Sequence, residues 1–178
     1  MFKLSEFLRA CARFGEENRV PLLLVGAFAL KAYGLSRMTG DLDFLTAKSR
    51  KFLWLNFLEG LGFETAGLSS GFSAHLHPLG GRVDTIYVDQ KTLEKLLSEA
   101  ERREIFPGVS FSVPSPRHLA ALKIFAVKNQ PERLDREWAD LAWLLKENLV
   151  SSEEIRELAR HYGVREILKR LDTGFRGT

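Results

Sequence analysis

A continuous apolar run, Val20 to Val25, constrains the fold of this chain more than any other feature. Because the run has no polar side chain on either of its alternating faces, it is typical of a central strand that is buried on both sides. Gly26 follows at once, and residues 27–33 then show a helical pattern that ends at Gly34. The sequence therefore predicts a buried strand, a glycine turn and a helix in direct succession.

The rest of the chain is rich in strands first and in helices last. We expect strands near residues 42–46, 63–66, 72–79, 82–88 and 109–113, and helices near residues 5–17, 48–61, 92–101, 116–129, 132–147, 152–161 and 164–171. This order favours an α+β fold that closes with a C-terminal helical bundle. We expect a core over residues 1–113 and a helical region over residues 114–178 packed on it, and a single domain would also satisfy this pattern.

Composition excludes several classes of protein. Of the 178 residues, 45% are hydrophobic and 28% are charged, which is ordinary for a globular protein and excludes disorder as the main state. The one cysteine, Cys11, excludes an intramolecular disulfide and argues against a cysteine-based metal site. The net charge of +3 permits a phosphate-bearing partner without arguing for one. The amphipathic N-terminus is unlike a signal peptide and no apolar stretch could span a bilayer, so we expect a cytoplasmic protein without a membrane partner.

Three aspartates form the strongest candidate site. Asp41 and Asp43 lie two residues apart at the entrance to a predicted strand, so their side chains share one face about 6–7 Å apart. Two such carboxylates repel each other unless a cation lies between them, and Mg²⁺ or Mn²⁺ suits oxygen ligands of this kind. Asp84 is the one carboxylate within the predicted strand 82–88, and it reaches the same cation if the two strands are neighbours. The alternatives are that Asp-x-Asp is a common pattern without function and that Asp84 keeps a strand edge soluble.

The residues around the aspartates could hold phosphate. The backbone N–H groups of Gly26 and Ala27 stand where a predicted strand passes into a helix, and glycine lets a ligand approach the backbone closely. Arg37 and Thr39 come just before the acids and could bind phosphate oxygens. The alternatives are a plain strand-to-helix turn and two solvated loop residues.

Two isolated charges occur in the predicted C-terminal helices. Lys123 is the one charge in residues 119–127, and Asp140 is the one charge in residues 138–145. A charge among apolar neighbours is costly unless it is paired. The two residues could pair as a structural bridge between helices, or Lys123 could reach a triphosphate while Asp140 orients it.

Two histidines share a face of the predicted strand 72–79. His75 and His77 could in principle bind zinc, but there is no cysteine near them in the sequence. An exposed polar face is the simpler interpretation of this pair.

The motifs at residues 25–30, Gly34, Arg37, Thr39 and 41–44 together resemble the nucleotidyltransferase superfamily of the DNA polymerase β type. The closer resemblance is to the branch of the AbiEii toxin and the minimal nucleotidyltransferases. It covers about residues 20–145 and implies a mixed β-sheet flanked by helices. In this family two acids bind Mg²⁺ and a third acid on a later strand completes the site, which are the positions of Asp41, Asp43 and Asp84. Ala27 departs from the family pattern, which has glycine or serine there.

The resemblance also extends to the later helices. The AbiEii-like branch uses a lysine in one helix and an aspartate in the next, and Lys123 and Asp140 look like these positions. It implies that Lys123 contacts the triphosphate and that Asp140 positions Lys123 or the base. Residues 150–178 carry no resemblance to this family.

We therefore expect a metal-dependent nucleotidyltransferase that moves a nucleoside monophosphate from a nucleoside triphosphate (NTP) to a hydroxyl group. The acceptor could be a tRNA end, a protein side chain or a small molecule, and the protein could belong to a toxin–antitoxin pair with a cognate partner protein. The alternative is a catalytically inactive member of the fold that binds a nucleotide or a partner. Ala27 and the short chain motivate that alternative.

Overall fold

A computed structural model describes residues 3–36 and 39–174 of the chain. The chain divides into two compact units, residues 1–114 and residues 115–178. The first unit contains a mixed β-sheet with helices, and the second is helical, so the predicted α+β class is confirmed.

The first unit contains seven strands and four α-helices within its described residues. They run in the order α1 (Leu4–Glu17), β1 (Leu23–Val25), α2 (Gly26–Ala32), β2 (Asp41–Ala47), α3 (Lys51–Gly60), β3 (Glu64–Leu68), β4 (Phe72–Leu76), β5 (Arg82–Val88), α4 (Gln90–Ser98), β6 (Glu101–Phe106) and β7 (Val109–Val113). The strand order across the sheet is β3-β4-β5-β2-β1-β7-β6. Strand β2 pairs parallel with β5 and antiparallel with β1, so the two strands that carry the predicted acids are direct neighbours.

One layer of the core lies on the sheet face opposite to the acids. Phe44 of β2 is fully buried and meets the ring of Trp54 from α3 edge to face at 5.4 Å. Phe14 of α1 lies 5.7 Å from the same indole, and the Trp54 Nε1–H donates to Thr85 Oγ1 at 2.9 Å. Burial of each such side chain stabilises the fold by about 1.5–3 kcal/mol, so this face anchors β2 and β5.

The sequence predictions differ from the structure at the ends of several elements and at one missed strand; the strand predicted over residues 72–79, for example, ends at Leu76. The strand predicted over residues 20–25 is shorter, since β1 begins at Leu23. No strand was predicted at Glu101–Phe106, where β6 forms the sheet edge, because its four charged residues are unlike a strand pattern and are mostly solvent-exposed. The helix predicted over residues 92–101 ends at Ser98, just before that strand.

The second unit consists of four helices in its described part. They are α5 (Pro116–Asn129), α6 (Leu134–Lys146), α7 (Ser152–Tyr162) and α8 (Arg165–Gly174). The Ser115 side chain caps α5, and Ser151 forms a reciprocal capping box with Glu154 at the start of α7. Leu119, Ile124 and Leu144 are among the buried residues of the bundle.

None of the helices in residues 3–36 and 39–174 is long and apolar enough to cross a membrane.

Candidate active site

The two acids of β2 lie on one face of the sheet. Asp41 and Asp43 are half-buried, whereas Leu42 and Phe44 between and after them are buried in the core on the other face. Half-buried and buried residues alternate over Asp41 to Phe44 because successive side chains of a strand point to opposite sides of the sheet. The core residues therefore fix which way both carboxylates point.

Strand β5 brings the third acid to the same face. Asp84 is the register partner of Asp43 in the parallel pairing of β5 with β2. Val83 and Thr85 on either side of Asp84 are buried, so Asp84 projects away from the core as Asp43 does. Neighbouring strands are about 4.8 Å apart, so the structure brings Asp41, Asp43 and Asp84 together on one face.

The glycine turn lies against one of these acids. Val25 is the register partner of Asp43, and Gly26 follows with φ of +64°. A Cβ atom at position 26 would lie 2.0 Å from the Asp43 Oδ2 atom. This position therefore requires glycine both for its left-handed backbone and for the close approach of the Asp43 carboxylate.

The structure describes two of the three other residues around the aspartates that were predicted to bind phosphate. Ala27 is buried in the first turn of α2. The Thr39 hydroxyl donates to the backbone carbonyl of Asp41 at 3.4 Å, so it lies beside the acids. Arg37 lies outside the described residues.

Arg82 is a member of the site that the sequence analysis missed. Its guanidinium donates to both oxygens of Asp84, from Nε to Oδ1 at 2.9 Å and from Nη2 to Oδ2 at 3.0 Å. Its backbone is the register partner of Asp41. The hydrogen bond to Asp84, together with the charges of Asp41 and Asp43, raises the pKa of Arg82 above its ordinary value. The signal in the sequence was an arginine two residues before Asp84, which alternation places on the same face.

The chemistry of these donors fits a divalent cation such as Mg²⁺, because all three side chains offer carboxylate oxygens. Asp43 also approaches Gly26 closely, so one of these carboxylates lies beside the glycine turn. Among the described residues, however, no group of three His, Cys, Asp or Glu side chains is arranged closely enough to hold a metal ion. Asp84 has both oxygens bound by Arg82, so a cation that takes Asp84 as its third ligand competes with this bridge.

Lys123 and Asp140 belong to a buried charge cluster of the second unit. The Lys123 Nζ atom lies 2.7 Å from Asp140 Oδ2 and 2.9 Å from Glu137 Oε2, and Arg133 binds Glu137 from the other side at 2.6 Å. Burial by itself would raise the pKa of Glu137, but Lys123 and Arg133 outweigh it and lower that pKa. The structure thus shows the ion pair between α5 and α6, and it adds Glu137, which the sequence analysis missed.

His75 is part of the core and not of an exposed polar face. It is fully buried, and its Nε2 atom lies 2.9 Å from Ser73 Oγ while its Nδ1 atom lies 3.3 Å from Thr65 Oγ1. Ser73 in turn contacts the Tyr87 hydroxyl at 2.8 Å. Burial lowers the pKa of His75. The interpretation of His75 as surface-exposed was wrong, because Thr65 of β3 and Ser73 of its own strand β4 satisfy its ring nitrogens inside the sheet.

Several solved structures share the fold of this chain. The chain is similar to ANT(2'')-Ia in complex with adenylyl-2''-tobramycin, at 12% identity and a TM-score of 0.68 over 90% of this chain and 97% of that one. It is also similar to the lincosamide antibiotic adenylyltransferase LnuA, at 12% identity and a TM-score of 0.52 over 66% and 83% of the two chains. The polyadenylate synthase of Megavirus matches at 13% identity and a TM-score of 0.56 over 81% of this chain and 31% of that one.

No protein-family model matches the sequence, and no curated protein matches it significantly. The similarity to solved structures defines the chain as a protein with the nucleotidyltransferase fold.

Proposed function

We propose that this protein is a metal-dependent nucleotidyltransferase that moves a nucleoside monophosphate from an NTP to a hydroxyl group. The observation that carries the proposal is the register of β2 and β5, which sets Asp84 beside Asp43 on the face that also holds Asp41. This arrangement occurs in a fold shared with two antibiotic adenylyltransferases and a polyadenylate synthase. The acceptor is a hydroxyl of RNA, of a protein or of a small molecule.

The proposed reaction is an in-line substitution at the α-phosphorus. The acceptor oxygen forms a bond to that phosphorus, the bond to the β-phosphate bridging oxygen breaks, and pyrophosphate leaves with the bonding electrons. The acceptor proton passes to a carboxylate of the site, and Asp84 is the proposed base. Bound Mg²⁺ or Mn²⁺ would neutralise charge that develops on the phosphates, and Asp41, Asp43 and Asp84 would hold it.

Other residues complete the proposal. The backbone of Gly26 and Ala27, together with Arg37 and Thr39, would bind the triphosphate. Lys123 is proposed to contact the triphosphate, with Asp140 positioning Lys123 or the base. The roles of Lys123 and Asp140 follow from the resemblance, and kinetics of the single variants at these positions test them.

The proposal also covers the biological role of the protein, its partner protein and its location. Membership of the AbiEii-like branch would make the protein a component of a toxin–antitoxin system, with a cognate partner protein and a cytoplasmic location. The fold neighbours bind different molecules, adenylyl-2''-tobramycin in ANT(2'')-Ia and lincomycin in LnuA. Identification of the labelled acceptor separates these possibilities.

A catalytically inactive protein that binds a nucleotide or a partner is the second candidate. The observation that favours it is the Arg82–Asp84 bridge, which occupies both oxygens of the third acid. Nucleotide binding that persists in Asp43→Ala without any turnover in the wild type would support this alternative.

The test is label transfer from α-³²P-labelled NTPs in the presence of Mg²⁺ or Mn²⁺ and a cell extract. We expect a labelled product with the wild type and none with Asp41→Asn or Asp43→Asn. Asp135→Asn is the matched control, because Asp135 is an exposed aspartate of the second unit that pairs with Arg170. Absence of transfer with every NTP and both metals would contradict the proposal.

A further inference from the structure

Arg82 and Asp84 form a closed ion pair within one strand. The residues stand two positions apart on β5, so their side chains share a face, and the fork of the guanidinium meets both carboxylate oxygens. Asp84 exposes 17% of its side chain and Arg82 exposes 45%. The acid is therefore held close to the sheet, while the cation that binds it remains in contact with solvent.

The charges around this pair are unbalanced. Arg82 is the register partner of Asp41, and Asp84 is the register partner of Asp43, so one arginine stands among three carboxylates on neighbouring strands. The three carboxylates attract cations to this face, and the charge of the Arg82 guanidinium opposes that attraction. Arg82 thus partly neutralises the charge of the acidic face.

We propose that Arg82 is a positioning residue that sets the metal affinity of the acidic face, because its charge opposes a divalent cation there and its guanidinium competes with that cation for the oxygens of Asp84. This inference rests on the proposed function, since it assumes that the three aspartates are the metal ligands. Each oxygen of Asp84 already accepts a hydrogen bond from the Arg82 guanidinium. Part of the capacity of this carboxylate to bind a cation is thus taken up. A cation that binds Asp84 therefore competes with Arg82 for these oxygens.

The geometry allows that exchange. Arg82 is the first residue of β5 and almost half of its side chain is exposed, so the guanidinium can leave into solvent while the backbone pairing of β5 stays in place. A displaced Arg82 remains attached two residues from Asp84, and its charge continues to oppose the incoming cation. Removal of that charge should therefore tighten metal binding, whereas loss of a residue with only a structural role would weaken it.

The experiment measures binding of Mn²⁺ alone by electron paramagnetic resonance, without nucleotide or acceptor. We expect Arg82→Gln to bind Mn²⁺ about tenfold more tightly than the wild type, the effect of a unit charge about 6 Å from a divalent ion in water. Arg82→Lys keeps the charge and loses the fork, so its affinity should lie between the two. Arg102→Gln is the matched control, because Arg102 is an exposed arginine of the same unit that pairs with Glu16 at 2.9 Å, and its affinity should equal that of the wild type.

A second set of variants assigns the bound ion to the acidic face. Addition of Asp43→Asn should weaken Mn²⁺ binding in both the wild-type and the Arg82→Gln backgrounds. Equal or weaker Mn²⁺ binding by folded Arg82→Gln and Arg82→Lys would overturn the inference, as would tightening in Arg102→Gln of the same size. Tight Mn²⁺ binding by Arg82→Gln without any nucleotide transfer by the wild type would support the inference and count against the proposed enzyme.

Discussion

Asp84 stands directly opposite Asp43 in the parallel pairing of β5 with β2, on the face that also carries Asp41. This one register decides whether the chain can hold a site at all, because a shift by a single residue would turn Asp84 into the core. The core fixes the register from the other side, where Phe44 and Thr85 both contact Trp54. The candidate site therefore depends on packing that lies on the opposite face of the sheet.

Gly26→Ala should abolish nucleotide transfer and also lower stability. The left-handed backbone at φ of +64° costs an alanine about 1–2 kcal/mol, and its Cβ atom would lie 2.0 Å from Asp43 Oδ2, so the carboxylate must move. Gly108→Ala is the matched control, because its φ is +73° and no atom lies within 4 Å of the added Cβ. We expect Gly26→Ala to lose more stability than Gly108→Ala in urea unfolding, and only Gly26→Ala to lose activity. Full activity of folded Gly26→Ala would contradict this role for the Asp43–Gly26 contact.

The local parts of the site could be predicted from the sequence, whereas its long-range parts could not. The strand that ends in Gly26 and the pair Asp41 and Asp43 are visible because their signals lie within a few residues of one another. The pairing of Asp84 with Asp43 depends on a register between strands that are distant in the chain. Strand β6 was missed because it has no apolar pattern of its own. It lies at the sheet edge and is held in place by antiparallel pairing with β7.

Buried polar residues were harder to recognise for the same reason. Glu137 looks like one more charge of a solvated helix, and its burial follows only from Lys123 on the neighbouring helix α5. His75 likewise looks exposed until Thr65 and Ser73 are seen to satisfy its ring. A single sequence shows that a polar residue is present. The hydrogen-bond or ion-pair partner that offsets the cost of its burial is brought beside it only by the tertiary fold.

Lys123→Met should destabilise the second unit by about 3–5 kcal/mol, because it leaves the buried carboxylates of Glu137 and Asp140 without their shared cation. Thermal unfolding of the variant measures this loss. The combined replacement Lys123→Met, Glu137→Gln and Asp140→Asn should recover much of it, since no buried charge is then left uncompensated and Arg133, which loses Glu137, is partly exposed to solvent. If Lys123→Met kept the stability of the wild type, the cluster would not be a structural element. Activity per folded molecule then tests separately the proposed contact with triphosphate.

Stability should fall on mild acidification because of His75. Burial lowers the pKa of His75 in the folded state below the ordinary value of 6.5, so the unfolded chain takes up a proton first. The contribution of His75 is therefore present above about pH 6.5 and is lost as the pH falls towards and through the folded-state value, by at most about 1.4 kcal/mol per pH unit. Urea unfolding at intervals from pH 7.5 to pH 5 measures the slope.

The histidine responsible can be assigned with two variants. His75→Gln should flatten the slope between pH 6.5 and pH 5, whereas His161→Gln, at an exposed position of α7, should leave it as in the wild type. An unchanged slope in folded His75→Gln would show that another group titrates in this range.

Removal of divalent metal should stop nucleotide transfer and leave the fold intact. The proposed ligands lie on the outer face of β2 and β5, while Phe44 and Trp54 hold the same strands together on the inner face. At a metal concentration ten times the Kd, the bound ion adds only about 1.4 kcal/mol to the free energy of unfolding, so its loss lowers the melting temperature slightly. Chelation should reduce the rate at least about a hundredfold, and added Mg²⁺ or Mn²⁺ should restore it in the wild type but not in Asp43→Asn. Transfer that continues in excess chelator would contradict the metal-dependent mechanism, and cooperative unfolding on chelation would show a structural ion instead.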